Sequence, residues 1–101
     1  MKITDLKPGM EGLDLVVTVL ELAEVRELKT KTGNVHRLVD GLVADASGRM
    51  AITFWDEQTG SLGDVKIGDL LRISNCFMSS YKGERRINVG RDSSLKRVDS
   101  P

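Results

Sequence analysis

Residues 13–25 read Leu-Asp-Leu-Val-Val-Thr-Val-Leu-Glu-Leu-Ala-Glu-Val, and this run constrains the fold more than any other. Counting in twos puts Leu13, Leu15, Val17 and Val19 on one face, and Val16, Leu20 and Leu22 add apolar character to the other. The density of β-branched residues selects a strand. A long strand that is apolar on both faces suits one that bends and serves two packed sheets. With 101 residues in all, the expectation is one domain over 1–101, with about 92–101 as a less ordered end.

The rest of the chain supplies partners for that strand. Asp5-Leu6-Lys7-Pro8-Gly9-Met10 reads as a turn leading into it. Lys29-Thr30-Lys31-Thr32-Gly33-Asn34 is a polar turn segment, followed by a second strand over 35–44. Asp45-Ala46-Ser47-Gly48 is a tight turn, and a third strand over 49–55 places Ile52 and Phe54 on one face and Thr53 and Trp55 on the other. Residues 56–65 break the pattern. Asp56 is a candidate cap for a short helix, which Gly60 and Gly63 hold to a turn or two. Strands over 70–78 and 85–91 flank a turn at Tyr81-Lys82-Gly83-Glu84, with Ile87 and Val89 inward. Small all-β domains must protect their sheet edges, and closure does so. The expected fold is all-β: a five-stranded OB-fold barrel with a short helix or turn between strands 3 and 4, an SH3-like barrel being the alternative.

Several function classes find no support. Cys76 is the only cysteine, so no intramolecular disulfide or cysteine cluster for zinc can form, and it reads as a small core residue. His36, the only histidine, reads as a surface polar group. The glycines fall at turns and form no phosphate-binding motif. No nucleophile–base set is visible, so an enzyme, a metal site and a cofactor are not expected. No apolar run approaches the ~18 residues of a membrane helix. The opening residues lack a signal-peptide layout, which gives the expectation of a cytoplasmic, reducing, nucleoid-associated location.

Charge and aromatics carry the positive argument. Fifteen basic residues balance fifteen acidic ones, but unevenly. Residues 26–37 hold Arg26, Lys29, Lys31 and Arg37 against Glu27; residues 82–97 hold Lys82, Arg85, Arg86, Arg91, Lys96 and Arg97 against Glu84 and Asp92. In an OB-fold these stretches flank the strand 2–3 face where nucleic acids bind. The acidic residues Glu21, Glu24, Asp56, Glu57, Asp64 and Asp69 are expected to lie elsewhere. Four aromatics make up the whole set, Phe54, Trp55, Phe77 and Tyr81. Trp55 has the opposite parity from Ile52 and Phe54, so it faces out if they face in. Tyr81 sits in a polar turn. Strict alternation puts Phe77 in the core with Leu71 and Ile73, whereas a β-bulge near Ser74-Asn75-Cys76 would turn it outward and send Cys76 and Met78 in.

The chain resembles the archaeal single-stranded DNA-binding proteins with one OB-fold that are related to replication protein A. The likeness lies in Asp5-Leu6-Lys7-Pro8-Gly9-Met10, in Val19-Leu20-Glu21 with Arg26, Thr30-Lys31 and Gly33, in Asp45-Ala46-Ser47-Gly48 followed by Ile52-Thr53-Phe54-Trp55, and in the run from Ile67 to Asn75. Tyr81-Lys82-Gly83 and Asn88-Val89-Gly90-Arg91 complete it. The eukaryotic relatives place an aromatic near the position of Asn88, and many archaeal ones carry a long tail. The resemblance implies largely sequence-independent binding of single-stranded DNA in replication, recombination or repair. Trp55, Phe77 and Tyr81 would stack on bases, while Arg26, Lys31, Arg37, Lys82, Arg86 and Arg91 would contact or steer phosphates. Single-stranded RNA is a second expected ligand, because stacking does not read the sugar. The free protein is expected to be a monomer that meets replication or repair proteins; the rival reading is an OB-fold protein-interaction subunit of a larger complex.

Overall fold

The computed structural model describes residues 2–60, 62–63 and 65–98, with Tyr81 described by its backbone alone. Seven strands and one short helix follow in order: β1 (Leu13–Leu22), β2 (Arg26–Lys29), β3 (Val35–Asp45), β4 (Gly48–Trp55), α1 (Glu57–Gly60), β5 (Leu70–Tyr81), β6 (Glu84–Val89) and β7 (Ser94–Val98). Strands β1, β3, β4, β6 and β5 lie side by side in that order, and β1 also pairs with β5, so the five close into a barrel. All these pairs are antiparallel except β4 with β6. This is the expected OB-fold barrel with its helix between the third and fourth barrel strands. β2 and β7 are additions to it: β2 extends β3 into a hairpin, and β7 pairs with the first half of β5.

The bent first strand behaves as its sequence demands. Residues from Leu13 to Thr18 pair with β5, and residues from Thr18 to Leu22 pair with β3. The hand-over coincides with a bulge between Val19 and Glu21. Leu13, Leu15, Val17 and Val19 are buried with Val39, Val43, Ile52, Phe54, Leu71, Ile73, Ile87 and Val89 in one core. The second apolar face is not a second core: Val16 is 44% exposed on the outside of the barrel. The strand also stops at Leu22, three residues short of the expected end, and resumes in another direction as β2. Gly41 marks the place. A Cβ there would lie 2.6 Å from the backbone oxygen of Glu21, so only glycine lets β1 and β3 approach so closely.

Two ends of the barrel are closed by segments outside the strands. A 3₁₀ turn (Ile3–Asp5) inserts Ile3 and Leu6 into the core. Asp45 ties it down, its carboxylate accepting hydrogen bonds from the amides of Ile3 (2.8 Å), Ser47 (2.7 Å) and Gly48 (3.2 Å). The turn after α1 contributes Leu62, and Gln58 of α1 donates to the carbonyls of Gly90 and Ser93. Asp56 precedes this helix, but its side chain does not cap it. The carboxylate turns back to the Arg37 amide (3.1 Å) and the His36 ring (2.9 Å), with Asp56 itself at φ 47°.

Candidate nucleic-acid interface

Alternation within the barrel strands gives the outer face its composition. Cross-strand partners point the same way, so the pairing of Arg26 with Leu38 and of Leu38 with Trp55 places all three on one outer surface. Asp40 pairs with Thr53, and Thr53 with Asn88, which in turn pairs with Phe77. The surface therefore runs from the β2–β3 hairpin across β3, β4 and β6 to the second half of β5. Leu38 belongs to it by register although it is only 2% exposed.

The bulge in β5 decides the fate of Phe77. Leu13 pairs with Cys76 and Leu15 with Ile73, so two residues of β5, Ser74 and Asn75, oppose the single Asp14 of β1. Asn75 is the extra residue, at φ 57°, a left-handed conformation that asparagine tolerates better than most. Its amide is bonded to Asp14, and its carbonyl accepts from the Ser93 hydroxyl. Cys76 and Met78 turn into the core, and Phe77 is 41% exposed. One edge of its ring rests on the backbone, where a Cβ on Gly90 would come within 3.2 Å of it. Burial pushes the Cys76 thiol up to about 11.

Trp55 is half-buried and held by polar contacts on two sides. Its indole N–H donates to Asn88 Oδ1 at 3.0 Å, and the Asn88 amide nitrogen donates to Ser79 Oγ at 2.8 Å. The His36 ring meets the indole edge to face, with centroids 6.0 Å apart, and Asp56 holds His36. The hydrogen bond from His36, with a second from the Arg37 amide, keeps the Asp56 carboxyl below its ordinary value.

The basic residues divide. Arg26 and Arg86 both reach the middle of the face and meet on Asp40: Arg26 Nε lies 2.6 Å from Oδ2, and Arg86 Nη1 lies 2.8 Å from Oδ1. Thr53 joins the group, donating to Asp40 Oδ1 at 2.9 Å and accepting from Arg86. Partial burial by itself would raise the Asp40 carboxyl. The hydrogen bonds from Arg26 and Thr53 and the charges of Arg26 and Arg86 outweigh that and hold it low. Arg91 is exposed beyond β6. It lines a cleft of about 320 Å³ with Phe77, Asn75 and Gly90, and another of about 330 Å³ with His36 and Asp56. Lys31 is exposed at the tip of the β2–β3 hairpin. Lys82 is exposed in the two-residue turn after β5, where it and Gly83 both have positive φ. Arg37 pairs with Glu27, one step out of phase with Trp55, and so lies on the opposite face of the hairpin. The side chain of Tyr81 is outside the described residues; its backbone ends β5 opposite Glu84.

One expectation about acidic residues needs correction. Asp56 is not remote: it braces the His36 ring against which Trp55 lies. Asp40, which the charge count leaves unremarked, sits between two of the candidate phosphate contacts. Asp64 is outside the described residues. Parity places Thr53 on the outer side with Trp55, though not its bonds to Asp40 and Arg86, and sequence reasoning misses Asn88 and Ser79 as parts of the face. Parity held the signal for Asn88, which alternates with the inward Ile87 and Val89.

Comparison with known proteins agrees with this fold. Residues 6–97 match the family described as single-stranded DNA binding protein Ssb-like, OB fold. The single-stranded DNA binding protein Ssb of Saccharolobus solfataricus is 36% identical over 89 residues, which cover 88% of this chain and 57% of that protein. Replication factor A of Methanothermobacter thermautotrophicus is 28% identical over 78 residues, 75% of this chain and 10% of that one. The chain thus spans little more than half of one relative and a small part of the other. Among solved structures, the second OB-fold domain of replication protein A from Methanococcus maripaludis superposes with a TM-score of 0.81 at 22% identity, covering 100% of this chain and 96% of that one. By the match over residues 6–97, this chain belongs to the Ssb-like family of single-stranded DNA binding proteins with an OB fold.

Proposed function

We propose that this chain acts as one OB-fold unit that binds single-stranded DNA, largely without regard to sequence, by stacking bases on Trp55, Phe77 and Tyr81 beside a row of cations. One observation carries the reading. Of four aromatics, Trp55 and Phe77 are held on the outer face of the same sheet, Phe77 by the bulge at Asn75. Unpaired bases offer π-faces whatever their identity, so platforms of this kind bind many sequences. Arg26, Arg86 and Arg91 lie close enough to the platforms to meet the phosphates of a stacked strand. Lys31 and Lys82, on two turns, extend the positive field at its ends and steer the approach. Arg37 contributes to that field from the far side of the hairpin.

The same chemistry extends to single-stranded RNA. The relatives' names support roles in replication, with repair and recombination as related settings where single strands are exposed, inside the cell and on the nucleoid. The free protein is proposed to be a monomer. The test is a fluorescence titration with an oligo(dT) strand. Trp55 is the only tryptophan, so stacking on it quenches the whole signal. Trp55→Ala weakens binding by about 1–3 kcal/mol, the scale of one base–aromatic stack. An unquenched signal with unchanged affinity in the variant refutes the reading.

A further inference from the structure

We infer that Asn88 is the positioning residue for Trp55: it fixes the plane of the indole for stacking and removes the ring's one polar group from contact with the nucleic acid. The inference rests on the stacking reading above and adds a residue that carries no charge and no π-surface.

The chemistry sets the orientation of the amide. An indole N–H can only donate, so its partner 3.0 Å away must be the Asn88 oxygen. The amide nitrogen is then directed to Ser79 Oγ at 2.8 Å and, more weakly, to the Arg86 carbonyl at 3.4 Å. Asn88 is only 3% exposed although it lies on the outer face, so neighbouring groups restrict it on all sides. It is an acceptor held in place by burial and by the bonds of its own amide nitrogen. On its other side Trp55 meets His36, which Asp56 holds. The polar chain Asp56, His36, Trp55, Asn88, Ser79 thus crosses the whole face, with the indole in its middle.

Two consequences follow for binding. First, a ring fixed before the ligand arrives loses little freedom when a base stacks on it, and pre-organisation of this kind strengthens binding without adding a contact. Secondly, a tryptophan whose N–H is free can donate to a base edge or a phosphate and so prefer some ligands. Here that donor is already engaged, and the ring presents hydrocarbon π-surface alone. Tolerance of sequence at this platform comes from Asn88 as much as from Trp55.

The test compares Asn88→Leu, Ser79→Ala, Trp55→Phe, Trp55→Ala and the Asn88→Leu/Trp55→Phe double variant of the full chain. Each is titrated with oligo(dT), by fluorescence anisotropy of a labelled strand. Asn88→Leu is expected to weaken binding roughly three- to tenfold, the scale of one hydrogen bond's net worth. It should also lower the steady-state anisotropy of Trp55 in the free protein, which a change confined to the barrel would not do. In the Trp55→Phe background, where no N–H exists, Asn88→Leu should have no further effect on affinity. Ser79→Ala leaves the barrel core untouched and frees the amide to rotate, so it should act in the same direction; it decides the matter if Asn88→Leu does not fold. Unchanged affinity and anisotropy in Asn88→Leu, or an equal loss with and without the indole, overturns the inference while Trp55→Ala still weakens binding. If Trp55→Ala binds like the parent, the stacking reading fails, and the inference with it.

Discussion

Asp40 places a full negative charge between two of the arginines proposed to meet phosphate, so Asp40→Asn should tighten binding of single-stranded DNA. The carboxylate is ionised at neutral pH because Arg26 and Thr53 hydrogen-bond to it and Arg26 and Arg86 carry the opposite charge. Its side chain is 31% exposed, so it is screened as a surface group and not as a buried one. A phosphate seated ~4–8 Å away is repelled by about 0.5–1 kcal/mol in water-like surroundings. Removing the charge therefore strengthens binding about two- to fivefold at low salt. It also frees two guanidiniums. Each further phosphate neutralised steepens the dependence of log affinity on log salt by about 0.7 for a single strand, so the slope should grow by about 0.7–1.4. The gain should vanish toward 1 M salt, where the Debye length falls to about 3 Å. The ion pairs lost are partly exposed, which limits the loss of stability to about 0–1 kcal/mol each. Oligo(dT) titrations from about 0.02 to 0.3 M salt, followed by Trp55 quenching, measure both quantities. Weaker binding with an unchanged slope would refute the reasoning: Asp40 would then orient the arginines for the ligand and not compete with it.

Other outcomes follow from the fold. Gly41→Ala puts a Cβ 2.6 Å from the Glu21 carbonyl oxygen; it should lower stability by about 1–3 kcal/mol, read as a fall in Tm. The Asp45 carboxyl is held below its ordinary value: burial would raise it, but bonds from Ser47, Ile3 and Gly48 prevail. A group depressed on folding stabilises above its unfolded pKa of about 3.9, and that contribution is lost as pH falls through the folded value. The Tm gap between the parent and Asp45→Asn should therefore be widest near neutrality and close in acid. Cys76 is buried with its thiol raised to about 11. Its alkylation at pH 8 should be slow in the folded protein and fast in denaturant, and equal rates would contradict its placement.

Much of this molecule is legible in the residues, and the misses share a cause. Period-two counting finds the buried sides of β1, β4 and β6, because strands of a closed barrel have one inside and one outside; on β3 both parities are apolar, Leu38 and Leu42 on one and Val39 and Val43 on the other, and counting leaves the choice open. It cannot find β2 or β7, whose burial is slight: β2 is exposed throughout. Nor can it find where β1 breaks, beside the close approach that Gly41 allows on another strand. The candidate site divides the same way. Trp55 reads outward from parity alone. Phe77 requires the bulge, which parity can only offer as an alternative. Asp40 and Asn88 are ordinary polar residues in sequence, and their importance lies in contacts with groups 14 to 46 positions away: Arg26 and Arg86 for Asp40, Trp55 for Asn88. Side-chain partners at such separations leave no local pattern to read.

The extra residue at Asn75 has a consequence for how such a chain can vary. Every position of β5 after it is shifted by one in phase, and the shift gives Cys76 and Met78 to the interior and Phe77 to the outer face proposed for binding. Deleting that one residue would exchange the two sets. A phenylalanine would then be forced into space fitted to a thiol, and a cysteine and a methionine would replace the platform. Recognition and folding are thus bound by a single insertion that neither can surrender alone. In this strand the number of residues is itself fixed by the need to keep both sides in step.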